Sequence, residues 1–191
     1  MPSASGSTDA VPPTLPGRLD RLDRELSRRA AVGWSHPRWF TLPLGALSLA
    51  ANYGIAWYVI SLLPWLFGEP RPLARALYVA VPVTAVEAVG FLIKRFVARP
   101  RPPIADPSQP KQIPLPFSKS FPSSHASMAV VGTFTVGTLY PALLPALIAL
   151  TVVLCFSRVY LGVHYLGDVL GGLTFGLVVG ALWIILVPAP F

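Results

Sequence analysis

Apolar residues fall along this chain in long runs separated by short polar breaks. Residues 40–67, 76–98, 122–140, 146–160 and 165–187 are dominated by Leu, Val, Ala, Phe and Gly. Runs of about 18 or more such residues have the length of a helix that crosses a bilayer. The pattern predicts an all-α protein, a polytopic transmembrane helix bundle of about five spans. The run over residues 40–67 is long for one crossing and short for two, so one tilted helix is expected there. Residues 99–121 are rich in proline and lack periodicity, which makes them a loop. Gly167, Gly171, Gly172, Gly176 and Gly180 in the last run favour close helix packing.

Ahead of the first run the period changes. Leu19, Leu22, Leu26 and Ala30 recur at three and four residues, giving a helix over residues 18–32 with one narrow apolar face. Charges interleave on the other face, which suits an interfacial amphipathic helix on the membrane surface or a solvated helical tail. Trp34, Trp39 and Phe40 resemble an interface belt, and His36 among them reads as an interfacial side chain. Residues 1–17 are rich in Ser, Pro, Ala and Thr and are expected to be disordered. The chain thus divides into a tail (1–17), a surface helix (18–38) and a transmembrane domain (39–191).

Composition narrows the class. Of the 191 residues, 53% are hydrophobic and 12% charged, the latter about half the usual share for a soluble domain. The formal net charge of +7 would suggest nucleic acid in a soluble protein. Here the aromatics lie in the spans and no basic domain stands outside them. No nucleic-acid partner is expected; anionic lipid headgroups or an anionic substrate fit better. The single cysteine, Cys155, lies in an apolar run and reads as a packed core residue. There is no Cys/His cluster with metal-ligand spacing, and no signal-peptide pattern at the N-terminus.

Three polar stretches interrupt this background, at residues 94–102, 122–125 and 157–168. With five spans all three lie on one membrane face and can converge. Ionised groups are expensive there, which makes them functional candidates, although a buried structural network is the plainer alternative. Lys94, Arg101 and Arg158 offer three cations for one phosphate. Ser123 and Ser124 stand at a helix start, where free amides and the helix dipole favour an anion. His164 and Asp168 are four apart, one helical turn, so the carboxylate can fix the imidazole's tautomer. Two imidazoles, His125 and His164, allow one to attack phosphorus while the other protonates the leaving oxygen. The cations balance the transition-state charge, so no metal cofactor is needed. Glu87, seven residues before Lys94, shares its helical face about 10 Å away and suits either a structural pair or contact with substrate hydroxyls. Phe121, Tyr160 and Tyr165 read as packing residues.

The pattern Lys-x6-Arg-Pro, Pro-Ser-x-His, Ser-Arg-x5-His-x3-Asp resembles that of the type 2 phosphatidic acid phosphatase superfamily. It stands here as Lys94…Arg101-Pro102, Pro122-Ser123-Ser124-His125 and Ser157-Arg158…His164…Asp168. The resemblance covers roughly residues 85–190. It implies a phosphohistidine at His164, oriented by Asp168, with His125 as general acid and then base. Lys94, Arg101, Ser123, Arg158 and the backbone at Ser124 would hold the phosphate. Two departures stand out: Ser124 replaces the family's usual Gly, and five spans are read where membrane members commonly have six.

Residues 1–38 hold six Arg and four acids, while residues 68–75 hold two Arg. The positive-inside rule then puts the tail, and with it the active site, at the cytoplasmic face of the cell membrane. The expected partners are a lipid phosphate and the bilayer. The chain's size and its Phe-Pro-Ser-Ser-His form resemble small actinobacterial members that dephosphorylate decaprenylphosphoryl-phosphoribose. Phosphatidylglycerophosphate, phosphatidic acid and undecaprenyl diphosphate are the alternative substrates. The non-enzyme alternative, a small transporter or assembly subunit, needs polar residues along a path through the bilayer. Apart from Glu87, they cluster instead at one face.

Overall fold

The computed structural model describes residues 17–191, and these are helical with no strand among them. The expected disordered tail lies, except for Gly17, outside the described residues. Helix α1 (Gly17–Arg28) runs through a wider turn (Arg29–Gly33) toward α2 (Arg38–Ala50). A short break leads to α3 (Ile55–Ser61) and α4 (Leu63–Leu66). Then come α5 (Pro72–Val97), the single turn α6 (Pro102–Ala105), α7 (Ser124–Leu139), α8 (Leu144–Tyr160) and α9 (Leu166–Leu186).

Three helical segments are long and apolar enough to cross a membrane, and α2 with the segment after it makes a fourth if that bent pair is one span. The single tilted helix expected over residues 40–67 is not what forms. The chain bends by 52° at the break, where Tyr53 (φ 54°) and Gly54 (φ 77°) take left-handed backbone. A non-glycine residue there costs about 1–3 kcal/mol, and Tyr53 borders the cavity described below.

Helix α7 is the axis of the bundle, packed on α5, α8 and α9. Its 16 residues extend about 24 Å, short for a spanning helix. It starts among buried residues, Ser123 and His125. Val131, Val136 and Met128 on α7 meet Val83 and Val86 on α5 and Trp57 on α3 in the main core. The glycine stripe of α9 faces α7: a Cβ on Gly172 would lie 2.5 Å from the Ser123 carbonyl oxygen, and one on Gly176 2.6 Å from that of Ser127. Outward side chains such as Val152, Leu170 and Ile185 are apolar and exposed, as a lipid-facing surface requires.

Helix α1 is turned in an instructive way. Its polar side chains Asp20, Asp23 and Ser27 are buried against the protein, while Leu19, Leu22 and Leu26 are 50–57% exposed. The apolar stripe is therefore free to meet lipid. His36 is structural, its ring nitrogens engaged with the Trp34 and Tyr160 carbonyls. Tyr160 is buried with its hydroxyl donating to Ser35 O, and Cys155 is a buried free thiol. Phe121 packs on Gly171.

Candidate active site

The three polar stretches do meet at one end of the bundle. Helix α5 carries Glu87 and Lys94 and stops at Ala98, whose left-handed backbone (φ 51°) turns the chain. Arg99-Pro100-Arg101-Pro102 follows, and proline forbids further helix. The loop then folds back beneath α7 and brings Ser118 and Ser120 to the site. Helix α7 opens with Ser123, Ser124 and His125; α8 ends with Arg158; residues 161–165 hold His164; and α9 places Asp168 in its first turn. A cavity of about 190 Å³ is lined by Glu87, Lys94, Arg101, Ser124, His125, Arg158 and His164. That is below the ~300–1,000 Å³ of pockets that enclose drug-sized ligands. It suits a phosphate with a compact headgroup, leaving a lipid tail outside.

His164 and Asp168 are both buried, at 2% and 0% exposure. His164 Nδ1 lies 3.4 Å from Asp168 Oδ2, an electrostatic contact longer than an aligned hydrogen bond, of the kind that tightens when substrate binds. On the other side of the ring, Arg101 Nη1 is 3.0 Å from Nε2. A guanidinium only donates, so Nε2 is the acceptor and the proton resides on Nδ1, facing the carboxylate. Nε2 thus keeps the lone pair and faces the cavity's cations. Burial, reinforced by Arg101, Arg158 and Lys94, pushes the His164 imidazole well below its ordinary range. Both effects favour the neutral ring, whose Nε2 lone pair accepts from Arg101.

Asp168 is held from several directions. Oδ2 accepts the Tyr165 amide at 2.9 Å and the Ser120 hydroxyl, and Oδ1 accepts Arg99 Nη1 at 2.8 Å. The carboxylate thereby also caps α9. His125 Nε2 donates to the Ser48 carbonyl at 2.9 Å, leaving Nδ1 as the nitrogen that can exchange a proton with a ligand. The Ser48 hydroxyl accepts Arg158 Nη1, and Arg158 Nε has no partner. Ser123 Oγ is also buried without a partner. The first-turn amides of α7 have no helical partner either, so the start of this helix carries several free donors. Lys94 Nζ donates to Ser124 Oγ. The serine at the family's glycine position is thus tied to the lysine rather than standing free in the cavity.

Every site residue named from the sequence borders the cavity or, like Ser123 and Asp168, stands directly behind it. Glu87 lines it with Oε2 buried and unpartnered. Ser48, Arg99, Ser120 and the acids of α1 were not legible. Ser48 is one hydroxyl in an apolar run and Arg99 one arginine in a basic stretch. The one available signal for Arg99 was a charge in a proline-rich turn directly before the motif arginine. Among the described residues, no group of three His, Cys, Asp or Glu side chains is placed to hold a metal ion.

Comparison with known proteins adds five findings. A model described as the PAP2 superfamily matches residues 75–190. Decaprenylphosphoryl-5-phosphoribose phosphatase of Mycobacterium tuberculosis is 32% identical over 136 residues, 71% of this chain and 74% of that protein. Undecaprenyl-diphosphatase BcrC of Bacillus subtilis is 30% identical over 133 residues, 69% of this chain and 68% of that one. Among solved structures, Aquifex aeolicus LpxE superposes with a TM-score of 0.72 at 21% identity, covering 86% of this chain and 95% of that one. A Bacillus subtilis PAP2-type phosphatidylglycerolphosphate phosphatase gives 0.65 at 22% identity, with 88% and 85% covered. At those identities the two structures speak for the fold alone.

Proposed function

The chain belongs to the PAP2 superfamily, and from that premise we propose that it hydrolyses the phosphomonoester of a polyprenyl-phosphate-linked sugar phosphate through a phosphohistidine at His164. That it is a membrane phosphatase follows from the family; the step and the substrate are our reading. The observation that carries it is the polarity of the His164 ring. Nδ1 is turned to Asp168 and the Nε2 lone pair is turned into a cavity bordered by Arg101, Arg158, Lys94 and His125.

In the first step the Nε2 lone pair forms the N–P bond as the P–O ester bond breaks. His125 enters this step as the imidazolium, with Nε2–H kept on the Ser48 carbonyl, and delivers its Nδ1 proton to the departing alkoxide, which leaves as the alcohol. In the second step His125 takes a proton from water, whose oxygen attacks phosphorus and releases His164. Lys94, Arg101 and Arg158, with Ser123 Oγ and the α7 amides, balance the charge that builds on the equatorial oxygens. Positive charge already supplied by side chains supports a metal-independent reaction.

The substrate class is supported by the activity for which the mycobacterial relative is named and by Glu87. An unpartnered carboxylate oxygen in the cavity wall is an acceptor for a headgroup hydroxyl, which a sugar phosphate has and a terminal diphosphate lacks. Phe91, Phe117 and Lys119 border an adjoining cleft against Lys94, an apolar and cationic rim suited to a lipid phosphate leaving the bilayer. Phosphate release by purified protein with EDTA present tests this across four lipids: polyprenyl-phosphoryl-phosphoribose, phosphatidylglycerophosphate, phosphatidic acid and undecaprenyl diphosphate. The sugar phosphate is expected to be the clear favourite. Preference for the diphosphate would favour the second reading, supported by the Bacillus relative, and no release in EDTA would end the metal-independent mechanism.

Helix α1 is the surface helix of this reading, its leucine stripe in lipid beside the site and residues 39–191 forming the catalytic domain. The arginine-rich N-terminal segment supports a cytoplasmic active site. With the bent α2–α4 segment as one crossing and α5, α7, α8 and α9 as four more, a C-terminal fusion to a reporter active only in the cytoplasm is expected to stay dark, and a bright reporter reverses the orientation.

A further inference from the structure

The sequence Arg99-Pro100-Arg101 places two arginines on opposite sides of the catalytic pair. Arg101 meets His164 Nε2 from the cavity, while Arg99 meets Asp168 from behind. Arg99 is 1% exposed and lies outside the cavity lining. Its Nη1 donates to Asp168 Oδ1 at 2.8 Å, and its Nη2 donates to Asp23 Oδ2 at 2.7 Å and Asp20 Oδ1 at 3.3 Å. The guanidinium stacks on the Tyr165 ring, 4.0 Å from its centre. We propose that Arg99 is a positioning residue for the Asp168–His164 pair, and that helix α1 holds it in place through Asp20 and Asp23. The inference rests on His164 being the nucleophile.

The reasoning starts from Asp168. Its two oxygens have separate tasks: Oδ2 faces His164 Nδ1, and Oδ1 is bound only by Arg99. A buried carboxylate oxygen without a partner is costly, so without Arg99 the group would rotate or take up a proton. Either change removes the acceptor that keeps the imidazole proton on Nδ1. A lone arginine would also draw on the negative charge that the histidine needs. Asp20 and Asp23 counter that charge, and the fork is shared among three carboxylates.

The attachment of α1 is independent of Arg99 as well. Asp23 Oδ1 accepts the Gly167 amide at 2.7 Å and Ser27 Oγ accepts the Leu166 amide at 2.8 Å, so α1 caps the helix that carries Asp168. A Cβ on Gly167 would lie 2.8 Å from Asp23 Oδ2, so this close approach requires glycine. A surface helix with its polar face buried in the catalytic support is thereby an integral part of the site.

The test compares wild type with Arg99→Gln, Arg99→Lys, Asp20→Asn/Asp23→Asn and Arg99→Gln/Asp168→Asn in lipid nanodiscs. Arg99→Gln is expected to lower kcat about 10–100-fold with KM nearly unchanged, as removal of an outer partner does. Arg99→Lys recovers part of the loss, and the α1 double variant shows the same kcat-only defect. In the Asp168→Asn background Arg99→Gln has no further effect, since its target is gone. Nitrogen-15 spectra of the His164 ring, assigned by difference with His164→Ala, show the Nδ1–H tautomer in wild type and a mixture in Arg99→Gln. Wild-type kcat in folded Arg99→Gln, additive losses in the double variant, or an unchanged tautomer would each overturn the proposal. Should Arg99→Gln not fold, Arg99→Lys and the α1 variant decide by the same readouts. Should wild type hydrolyse none of the lipids, the mechanism above fails by itself, and the ring spectra still decide this inference.

Discussion

Arg101 Nη1 donates to His164 Nε2 across 3.0 Å, so the proposed nucleophile and the proposed phosphate clamp engage each other directly. The remaining N–H groups of Arg101 are taken by the Val163, Ser118 and Lys119 carbonyls and by the Ser118 hydroxyl. An arriving phosphate must draw Nη1 away from the ring, and the same motion frees the lone pair that attacks. Arg101→Lys keeps a charge but loses the fork. Its expected cost in kcat/KM is about 10²-fold or more, with inorganic vanadate binding weakened in parallel. Near-normal kinetics in that variant would mean the guanidinium only props the loop.

The two imidazoles have separable effects. His164→Ala should abolish turnover, by about 10³-fold or more, and acid-quenched wild type should carry labelled phosphate that this variant lacks. His125→Ala should lose about 10²–10⁴-fold with an alkyl leaving group. With an activated aryl phosphate it should accumulate phosphoenzyme, since only the water step still needs a base. Equal labelling of both variants would reject the assignment.

The His164 environment sets the acid limb. A depressed imidazole is neutral, hence nucleophilic, above its folded-state pKa and is lost only as pH falls through that low value. kcat/KM, corrected for the substrate phosphate's second ionisation near pH 6, should hold through ~6.5, where an ordinary histidine is half protonated. A midpoint at the ordinary value would show that the ring is solvated.

Ser124 gives a test of substrate choice. Its hydroxyl accepts Lys94 Nζ, so Ser124→Gly frees the lysine and removes bulk beside the phosphate. The variant should accept the poorer lipids of the panel more readily relative to the best one. An unchanged ranking, with the lipids assayed side by side, would separate Ser124 from specificity.

Helix contact limits the other face of the bundle. Gly176→Ala would put a Cβ 2.6 Å from the Ser127 carbonyl and 2.9 Å from Val130 Cβ. Overpacking of this kind costs about 1–3 kcal/mol, which a lowered Tm would register. Thr174→Ala, on the exposed face of the same helix, serves as the control and should leave Tm unchanged.

The sequence by itself determined the class of fold and singled out the polar groups proposed to react. Ionised residues in an apolar chain are expensive enough to stand out, and the spacing of Lys94, Arg101, Arg158, His164 and Asp168 survives as a linear pattern because each set sits on one span end. The glycine stripe of α9 was legible for the same reason, its period being that of a helix face. Tertiary structure alone decided what supports those groups. Ser48 reaches His125 and Arg158 from a helix more than seventy residues earlier in the chain. Asp20 and Asp23 reach Arg99 and the start of α9 from a helix whose leucines, read alone, promised only a surface. The break at Tyr53 and Gly54 was hidden in an unbroken apolar run, because hydropathy records what can leave water and carries no record of backbone direction. Hydroxyls and carboxylates take their meaning from partners that meet only when the chain folds, and their positions along it hold no period from which that meeting can be read.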